Sequence, residues 1–264
     1  MAGQTGSDTI TAAILVIGDE ILSGRTKDKN IGWIAEHCTN IGIDVREVRV
    51  VCDIEDEIVE AVNALRARYT YVFTTGGIGP THDDITADSI AKAFGVGIDH
   101  HPQVKQALID SFARRGIEAT GARLRMARIP DTAEIVENKL SVAPGFKLGN
   151  VIVMAGIPAV MQVMLDAVTP RLRTGRKMLS RSIELMRGEG EIADLFGDCQ
   201  KAFPDVPMGS YPFNKEGQTE GNQVTRVFGT HLVLRATDEA RLLAAEADLR
   251  QRLTAKGIDA PPST

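Results

Sequence analysis

The chain has 264 residues, of which 43% are hydrophobic and 25% are charged, with a net charge of −5 and an isoelectric point near 5.6. Soluble globular proteins of one or two domains have this composition, and the acidic balance argues against nucleic acid as a partner. No apolar run has the roughly 18 residues of a membrane span. Met1–Thr11 lacks the basic and apolar regions of a secretory signal, so we expect a cytoplasmic protein without membrane contact.

Strands alternate with helices in the first part of the chain. Apolar runs and helical spacing predict strands at 12–17, 45–51 and 71–74 and helices at 31–41, 53–65 and 86–94. This order is typical of a parallel sheet between two layers of helices, in which ligands bind beyond the carboxyl ends of the strands.

The next region continues this pattern. We predict a helix at 102–114, strands at 133–136 and 151–154, a turn at 143–146, and a helix at 159–168 with Val160, Val163 and Met164 in the core. The pair His100 and His101 indicates a surface loop. The three arginines of the segment 123–128 predict either a solvated helix or a contact with an anionic ligand.

A run of arginine and lysine around Gly175 marks a linker. Beyond it we predict a small α+β unit, with strands at 182–186, 208–211, 224–228 and 231–234, helices at 191–202 and 238–253, a polar loop at 214–222 and a turn at Gly229. His231 alternates with apolar neighbours and is interpreted as a strand residue. The predicted domains are 12–172 and 180–256, and 1–11 and 257–264 are disordered tails.

The segment 71–86 carries the strongest functional signal. A strand ends in a loop with Gly76, Gly77 and Gly79, and Asp83 and Asp84 precede the next helix. Glycines allow close approach of a phosphate to the backbone, and carboxylates beside it can hold a metal, contact sugar hydroxyls or transfer protons. The alternative is structural, with glycines serving a turn and an aspartate capping the helix. The pattern matches neither the G-x-x-x-x-G-K-[ST] nor the G-x-G-x-x-G phosphate loop.

These loops resemble a known family. Residues 76–86, G-G-I-G-P-T-H-D-D-I-T, are similar to the signature of the molybdopterin-binding domain of MoaB, MogA and MoeA proteins, and the doubled aspartate is specific to the CinA branch. Residues 18–24 with Asn30 downstream, and 143–146, resemble further motifs of that branch in the same order. The resemblance is strong over 12–170 and weaker from Arg181 onward. The deamidase domain that follows in CinA proteins is missing, so no deamidase activity is expected.

The resemblance implies a three-layer α/β/α domain that binds a pterin phosphate or an adenine nucleotide, and it implies a homo-oligomer. Relatives hydrolyse the pyrophosphate of ADP-ribose or FAD with a divalent metal (Mg, Mn or Co) and potassium, without a tightly bound organic cofactor. Asp84 is then the catalytic acid/base or metal-linked carboxylate and Asp83 assists, and either could be a metal ligand. The implied ligand-binding residues are Gly18, Asp19, Glu20, Ser23, Gly24, Asn30, Thr75, Gly76, Gly77, Gly79, Pro80, Thr81, Gly145, Gly156 and Pro158.

Two positions depart from the family pattern. Val160 stands where the family loop has glutamate, and Met126 stands where it has glutamine. Three hypotheses follow: a metal-dependent nucleotide pyrophosphatase, a molybdopterin-binding or adenylylating protein of cofactor biosynthesis, and a non-catalytic nucleotide-binding protein. The loss of the family's glutamate and glutamine side chains favours the non-catalytic hypothesis.

Overall fold

The computed structural model describes residues 9–220 and 223–261. The chain divides into two compact units, residues 1–175 and 176–264. Most of the predicted amino-terminal tail lies outside the described residues, but Ile10 is buried and Thr11 begins the first strand. Among the described residues, no helix has the length and hydropathy that a membrane span requires.

The strands of the large unit are β1 (Thr11–Ile17), β2 (Asp44–Val51), β3 (Tyr71–Thr75), β4 (Ile98–His100), β5 (Arg128–Pro130), β6 (Glu134–Val136), β7 (Gly145–Leu148) and β8 (Val151–Met154). Its helices are α1 (Asp19–Leu22), α2 (Asn30–Asn40), α3 (Glu55–Arg68), α4 (Thr86–Phe94), α5 (Pro102–Arg114), α6 (Gly121–Leu124) and α7 (Pro158–Val168).

Six of these strands form one sheet in the order β2-β1-β3-β8-β7-β6. The first four strands are parallel, and β7 pairs antiparallel with both β8 and β6. Alternate residues of β1 serve the two faces: Ala13, Leu15 and Ile17 join the core beneath α3, α4 and α5, and Ala12, Ile14 and Val16 join the core beneath α2 and α7. This arrangement confirms the predicted three-layer domain with a mostly parallel sheet.

Several local predictions in the large unit were wrong. Residues 143–146 are not simply a turn, because Gly145 begins β7, which pairs with both β6 and β8. His100 lies in β4, paired with Arg128, and not in a surface loop. In α7 the predicted core residue Met164 is buried, together with Met161, Leu165 and Val168. Val160 is half-buried and packs against the same core, and Val163 is half-buried. These features depend on pairing and packing between segments distant in sequence.

The small unit contains β9 (Leu179–Leu185), α8 (Glu189–Ala202), β10 (Met208–Glu220), β11 (Gln223–Ala236) and α9 (Glu239–Ala255). Its antiparallel sheet has the order β10-β11-β9, and residues of β9 and β11 share a core with both helices. Ile258 and Ala260, which fall in the predicted carboxyl-terminal tail, pack against this core. Arg250 holds them by donating from Nη1 to the Ala260 carbonyl at 3.0 Å.

The hairpin of the small unit differs from its prediction. The predicted polar loop at 214–222 is largely strand, since β10 extends to Glu220, while residues 221 and 222 lie outside the described residues. No turn occurs at Gly229, which lies within β11 opposite Phe213. A Cβ at this position would overlap the Leu185 carbonyl oxygen and the Phe213 ring, so glycine serves close packing here.

Candidate functional site

The loop that joins β3 to α4 owes its shape to two glycines. Gly76 and Gly77 have φ angles of 105° and 66°, which favour glycine. A Cβ on Gly76 would overlap the Ile17 carbonyl oxygen, and one on Gly77 would overlap the Thr86 hydroxyl. Thr86 fastens the loop, because its N–H donates to the Gly77 carbonyl at 3.0 Å and its hydroxyl donates to the Gly76 carbonyl at 3.0 Å.

The carboxylate of Asp84 is held in one position within this loop. Its Oδ2 accepts the Thr81 N–H at 2.7 Å and the Thr81 hydroxyl. A Cβ on Gly79 would lie 2.6 Å from that oxygen, so the carboxylate packs directly over Gly79. The capping interpretation was wrong: Ile85 is the N-cap of α4, which has no side-chain cap.

Three peptide N–H groups in the same loop are available to a ligand. Those of Gly77, Ile78 and Gly79 donate to no acceptor in the described part of the chain. All three residues line a cavity of about 540 Å³, as does Asp84. Successive N–H groups without protein acceptors favour an anion, and a phosphate presents several acceptor oxygens to them.

Several loops of the large unit line this cavity. Besides the glycine loop, they include the segment 155–158 after β8 and the loop between β6 and β7 that carries Asn138, Ser141, Ala143 and Pro144. Asn138 shapes that loop, since its Oδ1 accepts the N–H groups of Leu140 and Ser141. The volume lies within the range of about 300–1,000 Å³ typical of small-molecule sites.

A second cavity of about 240 Å³ adjoins the first, and both are lined by Glu20, Thr26, Gly76, Gly156 and Pro158. Asn30 and Thr75 line the second cavity. Asn30 connects two of its walls by donating from Nδ2 to the Gly156 carbonyl at 2.8 Å. The loops after β1, β3 and β8 therefore meet at the carboxyl edge of the sheet.

The structure brings together many of the predicted site residues. Those that line one or both cavities are Glu20, Asn30, Thr75, Gly76, Gly77, Gly79, Pro80, Asp84, Gly156 and Pro158. Thr81 lines a third, more open cavity of about 390 Å³, which has Pro80 in common with the larger cavity, and its hydroxyl donates to Asp84.

Besides Thr81, six predicted site residues line neither of the two adjoining cavities: Gly18, Asp19, Ser23, Gly24, Asp83 and Gly145. Ser23, Gly24 and Asp83 are exposed, and Asp19 donates its N–H to Asp53 Oδ2 at 2.9 Å. Gly145 is buried in β7, where a Cβ would overlap the Val153 carbonyl oxygen. Close packing within the sheet is therefore enough to explain why position 145 is glycine.

Sequence reasoning missed several residues of the site. Thr26, Asn138 and Ser141 line the larger cavity, and the N-x-x-S spacing of the last two is a turn signal that could have located their loop. Arg125 braces the glycine loop by donating from Nε to the Asp84 carbonyl at 3.1 Å. Arg125 and Arg128 both pair with Asp88, so the arginines of 123–128 include internal ion-pair partners.

Beside the site, Asp53 lies in an acidic environment. Burial raises the pKa of the Asp53 carboxyl, the hydrogen bond from the Asp19 N–H opposes that rise, and the charges of Asp19, Glu20 and Asp83 add to it. Among the described residues, however, no three His, Cys, Asp or Glu side chains are grouped so that they could hold a metal ion. The residues fit an ion that arrives with a ligand, because Mg²⁺ commonly binds one or two carboxylates together with substrate phosphates.

Comparisons with known proteins agree with this architecture. Residues 13–174 match the family described as probable molybdopterin binding domain, and residues 177–261 match the FAD synthase middle domain. A protein of Aeropyrum pernix is 32% identical over 247 residues, covering 89% of this chain and 90% of the relative. A protein of Caldivirga maquilingensis is 35% identical over 187 residues, covering 69% and 72%.

Solved structures include the same fold. The crystal structure of the protein CinA, of unknown function, from Thermoplasma acidophilum has a TM-score of 0.57 and 32% identity, and the match covers 61% of this chain and 96% of that one. These similarities agree with the resemblance of the glycine loop and its paired aspartates. The chain therefore belongs to the family of probable molybdopterin-binding domains, in its CinA-like form, and carries a carboxyl-terminal domain similar to the middle domain of FAD synthase.

Proposed function

We propose that the protein hydrolyses the pyrophosphate bond of ADP-ribose or a similar dinucleotide with the help of a divalent metal ion. The observation that carries this proposal is the group of acceptor-free N–H groups of Gly77, Ile78 and Gly79 beside the fixed carboxylate of Asp84, in one cavity. N–H groups placed where negative charge develops lower the barrier to phosphoryl transfer. A carboxylate at the same place can accept a proton.

Hydrolysis of the pyrophosphate bond consumes one water molecule. The water oxygen forms a bond to one phosphorus, and the bond from that phosphorus to the bridging oxygen breaks. Asp84 accepts the proton that the water loses, and the bridging oxygen leaves with the second phosphate. The products are AMP and a sugar phosphate, and the loop N–H groups stabilise the charge on the attacked phosphate.

A divalent ion (Mg, Mn or Co) would bind to Asp84 together with the phosphates of the substrate, with potassium as a further activator. Bound in this way, it would neutralise phosphate charge and lower the pKa of a bound water molecule. Because the described residues contain no group of three potential ligands, we expect the metal to bind weakly in the absence of nucleotide. Calorimetric titration with MnCl₂ alone should give little heat, and titration in the presence of AMP should give more.

The decisive experiment measures AMP release from ADP-ribose and FAD with magnesium, manganese or cobalt plus potassium. We expect Asp84→Asn to lower the rate by a factor of about 100 or more, the usual contribution of a positioned general base. Asp83→Asn is the matched control, since Asp83 is the neighbouring carboxylate but is exposed and lines neither adjoining cavity. Its effect should be much smaller.

Equal losses in the two variants would contradict the role of Asp84. Absence of turnover in the parent protein would contradict hydrolysis of these substrates and favour one of two alternatives. The match to a probable molybdopterin binding domain favours binding or adenylylation of a pterin phosphate, to be tested by pterin affinity and ATP turnover. The apolar Met126 and Val160 in the lining of the cavity favour nucleotide binding without catalysis, which a ligand-induced melting shift would detect.

A further inference from the structure

The third cavity, of about 390 Å³, differs in its lining from the two at the candidate site. It has Pro80 in common with the larger cavity, and its other walls come from α4, β4, β5, and α6 with the turn that follows it. Several side chains of this lining carry a charge or gain one on protonation: Arg125, Arg128, Asp88, His82 and His100.

Two arginines of the third cavity share one carboxylate. Arg128 donates from Nη2 to Asp88 Oδ1, and Arg125 donates from Nη2 to Asp88 Oδ2 at 3.5 Å. The side chains of Arg128, Arg125 and Asp88 are 28%, 33% and 26% exposed, so water screens their charges only in part. One carboxylate compensates one guanidinium group. The lining therefore keeps one positive charge in a chain whose net charge is −5.

Two further carboxylates lie next to this lining but outside it. Asp99 is 88% exposed and accepts the His100 N–H at 2.6 Å, and Asp83 is 60% exposed and lies 3.9 Å from His82 Nδ1. Water screens the charges of groups that are as exposed as these. They therefore compensate the remaining guanidinium charge only weakly.

Several donors in the lining have no acceptor within residues 9–220 and 223–261. Each guanidinium group has five N–H donors. Arg125 uses Nε on the Asp84 carbonyl and Nη2 on Asp88, which leaves Nη1. Arg128 uses Nη2 alone, which leaves Nε and Nη1. The peptide N–H of His82 likewise donates to no acceptor in the described part of the chain. A ligand with several acceptor oxygens would satisfy these donors.

Charge and shape together favour a phosphate group as that ligand. The uncompensated positive charge repels a cation and attracts an anion. The planar fork of arginine matches pairs of oxygens on phosphate or carboxylate, and phosphate offers a further oxygen to the His82 N–H. The cavity also has room for the organic part of a phosphate ester.

We propose that the third cavity binds a phosphate group, as inorganic phosphate or as a phosphate monoester, through Arg125, Arg128 and the His82 N–H. This site is separate from the one proposed for the nucleotide, because the N–H groups of Gly77 and Gly79 line the larger cavity. The inference therefore does not depend on hydrolysis of a dinucleotide. It gives the arginines of the segment 123–128 the anionic ligand that their sequence allows.

The test is thermal melting of the full chain in sodium phosphate, compared with sodium chloride and sodium acetate at the same pH and ionic strength. We expect phosphate to give the highest melting temperature, because a ligand that binds the folded state stabilises it. Glycerol 3-phosphate distinguishes the two sources of the group. A larger shift than that with inorganic phosphate indicates an organic ester, and an equal or smaller shift indicates the free ion.

Variants are needed because phosphate also stabilises proteins in general, by its exclusion from their surface. Arg128 is the residue to change, since Arg125 also holds the Asp84 carbonyl. Arg128→Gln should weaken phosphate binding roughly tenfold to a hundredfold, the effect of losing hydrogen bonds from a charged donor. Arg128→Lys should weaken it less, because lysine keeps the charge but lacks the fork.

Arg123→Gln is the matched control. Arg123 belongs to the same basic segment, but it donates from Nη1 to the Glu118 carbonyl at 2.7 Å and is not part of the lining. Both glutamine variants remove one arginine charge from this segment, so a general effect of net charge appears in both. Arg123→Gln should keep the phosphate-dependent shift of the parent protein.

Four outcomes would overturn the proposal. The first is a shift in phosphate no larger than that in acetate. The second is the parent shift in Arg128→Gln, which would assign phosphate binding to another place, such as the glycine loop. The third is an equal loss in Arg123→Gln and Arg128→Gln. If Arg128→Gln does not fold, the fourth applies: unchanged phosphate binding by Arg128→Lys.

Discussion

Gly77 and Gly95 have nearly the same backbone conformation, with φ angles of 66° and 67°, but very different surroundings. Gly77 is in the ligand loop, where a Cβ would overlap the Thr86 hydroxyl. Gly95 ends α4 as its left-handed C-cap and has open space around it. Alanine substitutions at the two positions therefore separate the free-energy cost of a left-handed alanine from the cost of a steric overlap.

We predict that Gly95→Ala lowers the free energy of unfolding of the large unit by about 1 kcal/mol, the cost of a left-handed alanine. Gly77→Ala should cost at least about 1 kcal/mol more, because Thr86 must move and its buried bond to the loop is strained. Urea unfolding followed by fluorescence of Trp33, the one tryptophan of the chain, measures both. Equal costs for the two variants would show that the loop has room for a side chain.

The acidic environment of Asp53 leads to a prediction about pH. Burial and the charges of Asp19, Glu20 and Asp83 raise the pKa of the Asp53 carboxyl in the folded protein. Folding is therefore favoured when this group is protonated, and stability is lost as the pH rises through the folded-state pKa. Asp53→Asn should be more stable than the parent protein at pH 7, and the difference should disappear as the pH falls below about 4, the ordinary pKa of aspartate.

Urea unfolding midpoints of the two proteins between pH 3 and pH 7 measure this difference. Asp28→Asn is a suitable control, because Asp28 Oδ1 accepts the N–H groups of Asn30 and Ile31 at the start of α2, so its substitution should be destabilising or neutral at pH 7. A destabilised Asp53→Asn at pH 7 would mean that its bond with the Asp19 N–H outweighs the repulsion.

At the scale of elements, two glycines of the small unit have opposite roles. Gly229 lies inside β11 beneath the Phe213 ring, and Gly197 lies inside α8 with open space at its Cβ position. The first supports packing between the strands of the sheet. The second only increases the conformational entropy that the helix loses on folding.

We predict that Gly229→Ala destabilises the small unit by roughly 1–3 kcal/mol, as overpacking in a sheet does. Gly197→Ala should stabilise it by about 0.5–1 kcal/mol, since alanine favours helix. The small unit has no tryptophan to report its unfolding. Hydrogen–deuterium exchange of peptides from β9, β11 and α9 therefore measures the change in its stability. Slower exchange in Gly229→Ala would contradict the packing role of this glycine.

At the scale of the whole molecule, every residue of both adjoining cavities belongs to the unit formed by residues 1–175. The two hydrophobic clusters that flank its sheet also consist of residues of this unit. We predict that a fragment of residues 1–175 folds cooperatively and binds AMP within about threefold of the affinity of the full chain, a change below 1 kcal/mol. Calorimetry on both proteins measures this, and a large loss of affinity would assign part of the site to residues 176–264.

The candidate site was predictable where backbone geometry dictates residue type. Gly76 and Gly77 could be recognised because positive φ angles and close contacts admit little else, and Asp84 because it stands beside them. The family resemblance also selected Gly145, whose glycine serves β7 instead. A glycine in the sequence signals a lack of space, but the sequence does not say whether a ligand or another strand takes that space.

The sequence by itself determined the parallel strands β1, β2, β3 and β8, the helices α2, α3, α4 and α7 that follow them, and the loops at the carboxyl edge of the sheet, because hydrophobic periodicity and glycine stops are local signals. The tertiary structure alone decided that Gly145 starts a strand, that β11 continues through Gly229, and that Asn138 and Ser141 reach the cavity. It also decided that Asn30 Oδ1 and Thr75 Oγ1 are buried without partners. The physical reason is that strand pairing, packing and burial depend on segments that are distant in sequence and adjacent only after folding.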